Sequence, residues 1–170
     1  MSAHFGLGWG VGVALLALTT IGVAGAVETQ GPVTDEIGVV RIGKGDPISI
    51  GFMAVLSGPD AQLGIDQQRG VEILIQDLGG KLLDHPIRLA VEDGQCTTEG
   101  GQAAATKLAT DAKVVAVIGP TCSSEAKAAA PILWHAGITS IGISPTAPSL
   151  TDAKRESGFN GFVRVCWNDG

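Results

Sequence analysis

The sequence predicts an α/β fold with a doubly wound parallel sheet. Short apolar runs suited to buried strands recur along the chain, segments with helical periodicity separate them, and the loops between them are short and rich in Gly, Pro, Ser and Thr. Strands that alternate with amphipathic helices are typical of right-handed βαβ crossovers, which build a parallel sheet with helices against it.

The first 26 residues contain no Lys, Arg, Asp or Glu. The apolar run 11–23 leads into Ala24-Gly25-Ala26, a small-x-small pattern typical of a signal-peptide cleavage site. We therefore expect a secretory signal peptide at 1–26, a leader at 27–47 and a periplasmic location. An uncleaved membrane anchor is the alternative, because the stretch 5–27 is long enough to span a bilayer.

The regular pattern begins at residue 48, and we expect one ligand-binding lobe over 48–170. The predicted strands are 48–55, 87–91, 114–119, 138–144 and 162–166. In the first predicted helix, Val71, Leu74, Ile75 and Leu78 share one face, and Gly79-Gly80 ends it. The second and third helices are predicted at 102–111 and 123–136.

Composition excludes several kinds of function. The net charge is −6 and the Lys and Arg residues are not clustered, which argues against nucleic acid as a partner. No nucleotide-binding loop or zinc-ligand spacing is present, so we expect neither a cofactor nor a metal.

Three loops follow predicted strands at the edge of the sheet where ligands bind in open α/β folds. They are LSGPDAQLG (56–64), GPTCSS (119–124) and SPTAPS (144–149). Ser123 or Ser124 is expected either to cap the third helix or to bind a small anion there together with backbone N–H groups. A carboxylate suits this loop better than a phosphate, because no Lys or Arg lies beside it.

Cys122 has three possible roles. A thiol nucleophile would need a base such as His135, which lies thirteen residues further along the same helical segment and is out of reach. A metal site would need more ligands. Cys96 lies in the loop after the neighbouring strand of an exported protein, so we favour a Cys96–Cys122 disulfide. Cys166 is interpreted as a small buried apolar residue on the last strand.

The motifs LSGPDAQLG, VEDGQCTTEGG, VIGPTCSSE, ISPTAPSLT and GFVRV follow one another in an order that resembles the periplasmic branched-chain amino-acid-binding proteins of ABC importers. The resemblance implies a non-enzymatic, type I solute-binding protein that delivers an amino acid to a membrane permease. It also implies that Ser123 holds the ligand α-carboxylate, with Thr121 and Cys122 in the pocket wall. Thr146, in the loop that begins at Ser144, matches a threonine that contacts the α-carboxylate and α-amino groups. Leu63 stands where the family often has an aromatic residue over the ligand.

Members of this family are about twice as long as this chain, because closure around a ligand needs a second lobe. The resemblance therefore covers the N-terminal portion, and we expect this chain alone to bind an amino acid weakly or not at all. A ligand-sensing module of the same fold, acting on a receptor or regulator, is the alternative function. An enzyme would require Cys122 to be a free thiol.

Overall fold

A computed structural model describes residues 39–170, so the predicted signal peptide and most of the leader lie outside the described residues. None of the helices in 39–170 has the length and apolar character needed to cross a membrane. The elements in chain order are β1 (Ile48–Ala54), α1 (Ala61–Asp77), β2 (Lys81–Leu82), β3 (His85–Asp93), α2 (Thr98–Thr110), β4 (Val114–Ile118), α3 (Ser123–His135), β5 (Thr139–Gly142) and β6 (Phe162–Arg164).

Six strands form one sheet in the order β2-β3-β1-β4-β5-β6. The pairs β1–β3, β1–β4, β4–β5 and β5–β6 are parallel, and the short β2 is antiparallel to β3. The predicted α/β fold with a parallel, doubly wound sheet is therefore confirmed. The sequence did not predict β2, which turns into β3 through Leu83 and Asp84, both at positive φ.

One face of the sheet is fully packed. Helices α2 and α3 lie side by side on this face, where the buried Met53 of β1 and Val117 of β4 point toward them. Leu108 and Leu133 supply the large helical side chains of the cluster, and the other buried helical positions in it are alanines. Small alanine side chains let the two helices approach the sheet closely, as the sequence predicted.

The other face carries α1 over β1 and β3. Ile75 of α1 lines a shallow groove with Ile87, Leu89 and Val91 of β3. The helical stripe predicted from the sequence is only partly buried, because Leu74 remains 55% exposed and Leu78 remains 49% exposed. Within residues 39–170 this face of the sheet is therefore less well covered than the face that carries α2 and α3.

Gly64 fixes the distance between α1 and β1. It is the buried residue of α1, and a Cβ atom at this position would collide with the backbone carbonyl of Val55. The helix backbone thus contacts the end of β1 directly. The chain leaves β1 toward β3 on one side and later returns to β4 on the other, so the strand order reverses beside the carboxyl end of β1. In open α/β sheets this reversal creates a crevice where ligands bind.

Candidate functional site

A hydrogen-bond network joins the loops that surround this crevice. The hydroxyl of Thr121, which is 2% exposed, accepts a bond from the N–H of Val55 (3.3 Å) and donates to the side-chain oxygen of Gln67 (2.7 Å). The Gln67 amide nitrogen donates to the hydroxyl of Ser144 (3.0 Å), which donates to the carbonyl of Thr121 (2.9 Å). Thr121 and Ser144, predicted from the sequence, are therefore brought together. Gln67 was not predicted, because its partners lie 54 and 77 residues away.

Ser123 is the first residue of α3, at the carboxyl end of β4. Its hydroxyl accepts a hydrogen bond from the N–H of Ala147 (3.1 Å), which ties the α3 start to the loop after β5. The hydroxyl of Ser124 donates to the carbonyl of Cys96 (2.7 Å). The N-cap residue is Cys122, so the expectation that Ser123 or Ser124 caps the helix is wrong. The Ser123 hydroxyl keeps its proton available for a further acceptor.

Glu125 takes over the role of anchoring the helix start. Its fully buried carboxylate accepts hydrogen bonds from the backbone N–H groups of Cys96 (2.8 Å), Cys122 (2.8 Å) and Thr121 (3.1 Å). Burial raises the pKa of Glu125; the hydrogen bonds from these three N–H groups oppose the rise, and the charge of Asp93 adds to it. One acidic side chain thus holds both the loop after β3 and the loop after β4.

Asp93 anchors the loop after β1 in a similar way. Its carboxylate accepts from the N–H groups of Leu56 (2.9 Å) and Gln95 (2.9 Å). Burial alone would raise the pKa of Asp93, but hydrogen bonds from Ser57, Leu56 and Gln95 outweigh that effect and lower the pKa. Asp93 is therefore held as a carboxylate that shapes the rim of the crevice.

The predicted disulfide between Cys96 and Cys122 is confirmed, with a Cα–Cα distance of 5.3 Å. Cys122 is consequently not a free thiol, and His135 is exposed, with its Nδ1 atom 2.6 Å from the carbonyl of Pro131. Among residues 39–170, no three His, Cys, Asp or Glu side chains are grouped as metal ligands would be. Cys166 lies beyond the end of β6 and is half-buried, so its interpretation as a fully buried strand residue is wrong.

The two remaining predicted residues lie at the rim. The hydroxyl of Thr146 donates to the carboxylate of Asp169 (2.8 Å), whose N–H donates to the carbonyl of Thr146 (3.1 Å). Leu63 lies in the first turn of α1 and is 51% exposed. Leu63 takes no part in the hydrogen-bond network, and its side chain provides an apolar surface beside the crevice.

This arrangement suits a small anionic group. The first-turn N–H groups of α3 lack acceptors within the helix, and the helix N-terminus carries a partial positive charge. Four hydroxyl-bearing residues, Thr121, Ser123, Ser144 and Thr146, lie on the loops around it, and none of them is cationic. Three of these hydroxyls already donate to Gln67, to the carbonyl of Thr121 and to Asp169, so Ser123 is the one of the four whose proton is not engaged by another residue in 39–170. A carboxylate can be held by hydroxyl and backbone donors in such a setting.

The comparisons with known proteins agree with this fold. A match to the family described as periplasmic binding protein covers residues 47–168. An amino acid binding protein from Pseudomonas aeruginosa is 30% identical over 124 residues, which are 72% of this chain and 32% of the relative. A Leu/Ile/Val-binding protein from Escherichia coli K12 is 31% identical over 108 residues, or 62% of this chain and 29% of the relative.

Among solved structures, the branched-chain amino acid transporter substrate binding protein LivJ from Streptococcus pneumoniae, in complex with isoleucine, superposes with a TM-score of 0.63. The identity is 27%, and the match covers 73% of this chain and 35% of that protein. The chain thus spans about a third of the length of the relatives that it matches. With most of its described length inside the family match, this chain belongs to the periplasmic binding protein family.

Proposed function

We propose that this chain forms one lobe of an extracytoplasmic solute-binding component of an ABC importer, with a branched-chain or related amino acid as ligand and a membrane permease as partner. The observation that carries the proposal is the position of Ser123. It begins α3 at the crevice where the strand order reverses, and hydroxyl-bearing loops surround it. A ligand carboxylate at this point meets the helix N-terminus and the Ser123 O–H together.

The donors at this point are neutral, which favours an amino acid over a phosphorylated ligand. Arg164 contacts the same loop, but its Nη1 atom donates to the carbonyls of Pro145 (3.4 Å) and Ala147 (3.0 Å). A carboxylate needs fewer donors than a phosphate, and neutral donors can satisfy it. The relatives named above agree with this choice, since their names refer to amino acids or to Leu, Ile and Val. Leu63 provides an apolar surface beside the crevice, which suits an aliphatic ligand side chain.

The proposal is tested by adding L-leucine and L-leucinamide to the ¹⁵N-labelled chain and following its backbone amide shifts. Leucinamide keeps the amine and the aliphatic side chain but lacks the carboxylate. We expect weak, saturable shifts at residues 121–124 and 144–147 with leucine, with a Kd of about 1 mM or weaker, and none with leucinamide.

Ser123→Ala should weaken the leucine response, because the hydroxyl donor is lost while the fold keeps its packing. Ser157→Ala is the matched control, since Ser157 is exposed and lies in a separate 3-10 turn. Equal responses to leucine and leucinamide, or equal effects of the two substitutions, would overturn the assignment of the carboxylate to Ser123.

A further inference from the structure

A second pocket lies on the outer side of α3, between Lys127 and the segment 148–159. It has a volume of about 420 Å³. Lys127, Lys154 and Arg155 line it together with Ser149 and Phe159. None of the residues assigned above to the crevice takes part, so this pocket is a separate feature of the lobe.

The three cations of this pocket form no ion pair with any residue in the described part of the chain. Within residues 39–170, the ion pairs involve Arg69, Arg88, Lys107 and Lys113, and neither lysine of the pocket nor Arg155 is among them. The chain as a whole carries a net charge of −6 with only eleven Lys and Arg residues. The three basic side chains thus make this pocket positively charged on a chain that is negatively charged overall.

Arg155 adds an independent observation. Its Nη1 atom donates to the carbonyl of Thr151 (3.2 Å), but its Nε atom is buried without an acceptor among the described residues. A buried N–H of a charged group without a partner is unfavourable. Because this Nε atom is out of contact with solvent, an anion in the pocket would meet the guanidinium at its remaining N–H groups.

Two carboxylates also border the pocket, and they do not neutralise it. One oxygen of Asp152 accepts from the N–H of Lys154 (3.3 Å), which engages it in its own turn. Glu156 is exposed to solvent. With three cations against two carboxylates, the pocket keeps an excess of one positive charge.

The floor of the pocket is fixed. Phe159 packs against the buried cluster of Ala126, Ala130, Leu150 and Phe162. The segment 148–159 is thus held against α3 by apolar contacts, which fixes the backbone positions from which the basic side chains extend. Such preorganisation lowers the cost of binding a small molecule.

We propose that this pocket binds a small anion of the carboxylate or phosphate class. Its lysines and the guanidinium provide charge-assisted donors, and Ser149 adds a neutral hydroxyl. The site shares no residue with the amino-acid crevice, and binding at one does not require binding at the other.

The test is a titration of the ¹⁵N-labelled chain with citrate and, separately, with inorganic phosphate, at constant ionic strength set with sodium chloride. A carboxylate ligand predicts the stronger response to citrate, and a phosphate ligand the stronger response to phosphate. In either case we expect saturable amide shifts at Lys127 and in 149–159, without shifts at 121–124.

The variant Lys127→Ala/Lys154→Ala removes two exposed charges from the pocket and should weaken binding by about tenfold or more. The control Lys44→Ala/Lys81→Ala removes the same charge from exposed positions elsewhere and should bind as the wild type does. Non-saturable shifts with both anions, or equal weakening in the two double variants, would show unspecific charge attraction and overturn the proposal.

Discussion

The carboxylate of Glu125 accepts a 2.8 Å hydrogen bond from the backbone N–H of Cys96, which lies 29 residues earlier in the chain. A buried acid on α3 thereby holds the loop after β3, next to the disulfide that joins the same two segments. The covalent link and the carboxylate together fix one wall of the crevice.

Glu125→Ala is expected to lower the free energy of unfolding by about 3 kcal/mol. The substitution leaves three backbone N–H groups without their acceptor, and unsatisfied buried donors cost about 1–3 kcal/mol each before relaxation and water entry reduce the sum. Urea denaturation measures the change. Glu72→Ala, on the exposed side of α1, is the control and should stay within about 0.5 kcal/mol of the wild type. Similar small effects of both substitutions would contradict the structural role of Glu125.

The stability of the chain should depend on pH through the same carboxyl group. Burial raises the pKa of Glu125 in the folded state above its unfolded value, so the folded state binds this proton more tightly. The resulting stabilisation is present below about pH 4.3, the ordinary pKa of Glu, and is lost as the pH rises through the higher folded pKa.

Relative to Glu125→Gln, which cannot titrate at this position, the wild type should therefore lose stability as the pH is raised from about 4 to 7. Hydrogen bonds that outweigh burial lower the pKa of Asp93 below its ordinary value, so Asp93 stays ionised over this pH range in both proteins and adds no titration of its own to the difference. Urea denaturation of the pair at several pH values gives that difference. If the free energy of unfolding of the wild type minus that of Glu125→Gln stays constant or increases between about pH 4 and 7, the pKa of Glu125 is not raised in the folded state.

Removing the disulfide should cost about 3–4 kcal/mol. The bond closes a loop with a sequence separation of 26 residues, and the chain-entropy estimate for that length gives this magnitude. Cys96→Ser/Cys122→Ser, compared with the wild type in urea, measures the loss. Cys166→Ser is the control, because this half-buried thiol forms no disulfide. If dithiothreitol destabilises the double variant as much as it does the wild type, the effect does not come from this bond.

Gly64→Ala should destabilise the chain by about 1–3 kcal/mol or more, because the added methyl group meets the carbonyl of Val55 and pushes α1 away from β1. Gly70, in the same helix, faces open space. Gly70→Ala should therefore stabilise the chain by about 0.5–1 kcal/mol through helix propensity. Thermal unfolding of both variants distinguishes the two effects, and a Gly64→Ala variant as stable as the wild type or more stable would contradict the close approach at Gly64.

The sequence predicted the five main strands, the three helices and the disulfide. Apolar runs and helical periodicity are local features of the sequence, and the order of strands and loops along the chain places Cys96 and Cys122 in neighbouring loops. It did not predict the role of Gln67, whose partners Thr121 and Ser144 are close only in the folded chain. Of the two roles that the sequence left open for Ser123 and Ser124, capping of α3 is the one that the structure does not show, because Cys122 is the N-cap and Glu125 supplies the anchoring bonds. The exposure of Leu74 and Leu78 likewise depends on what packs against α1, which periodicity cannot indicate.

The three amides held by Glu125 share a single acceptor group, and this has a consequence for motion. Withdrawal of the carboxylate would release the loop after β3 and the loop after β4 at the same moment. The two segments are therefore expected to open as one cooperative unit and not independently. The edge of the crevice is therefore expected to open and close as a whole, depending on whether the Glu125 carboxylate is in place.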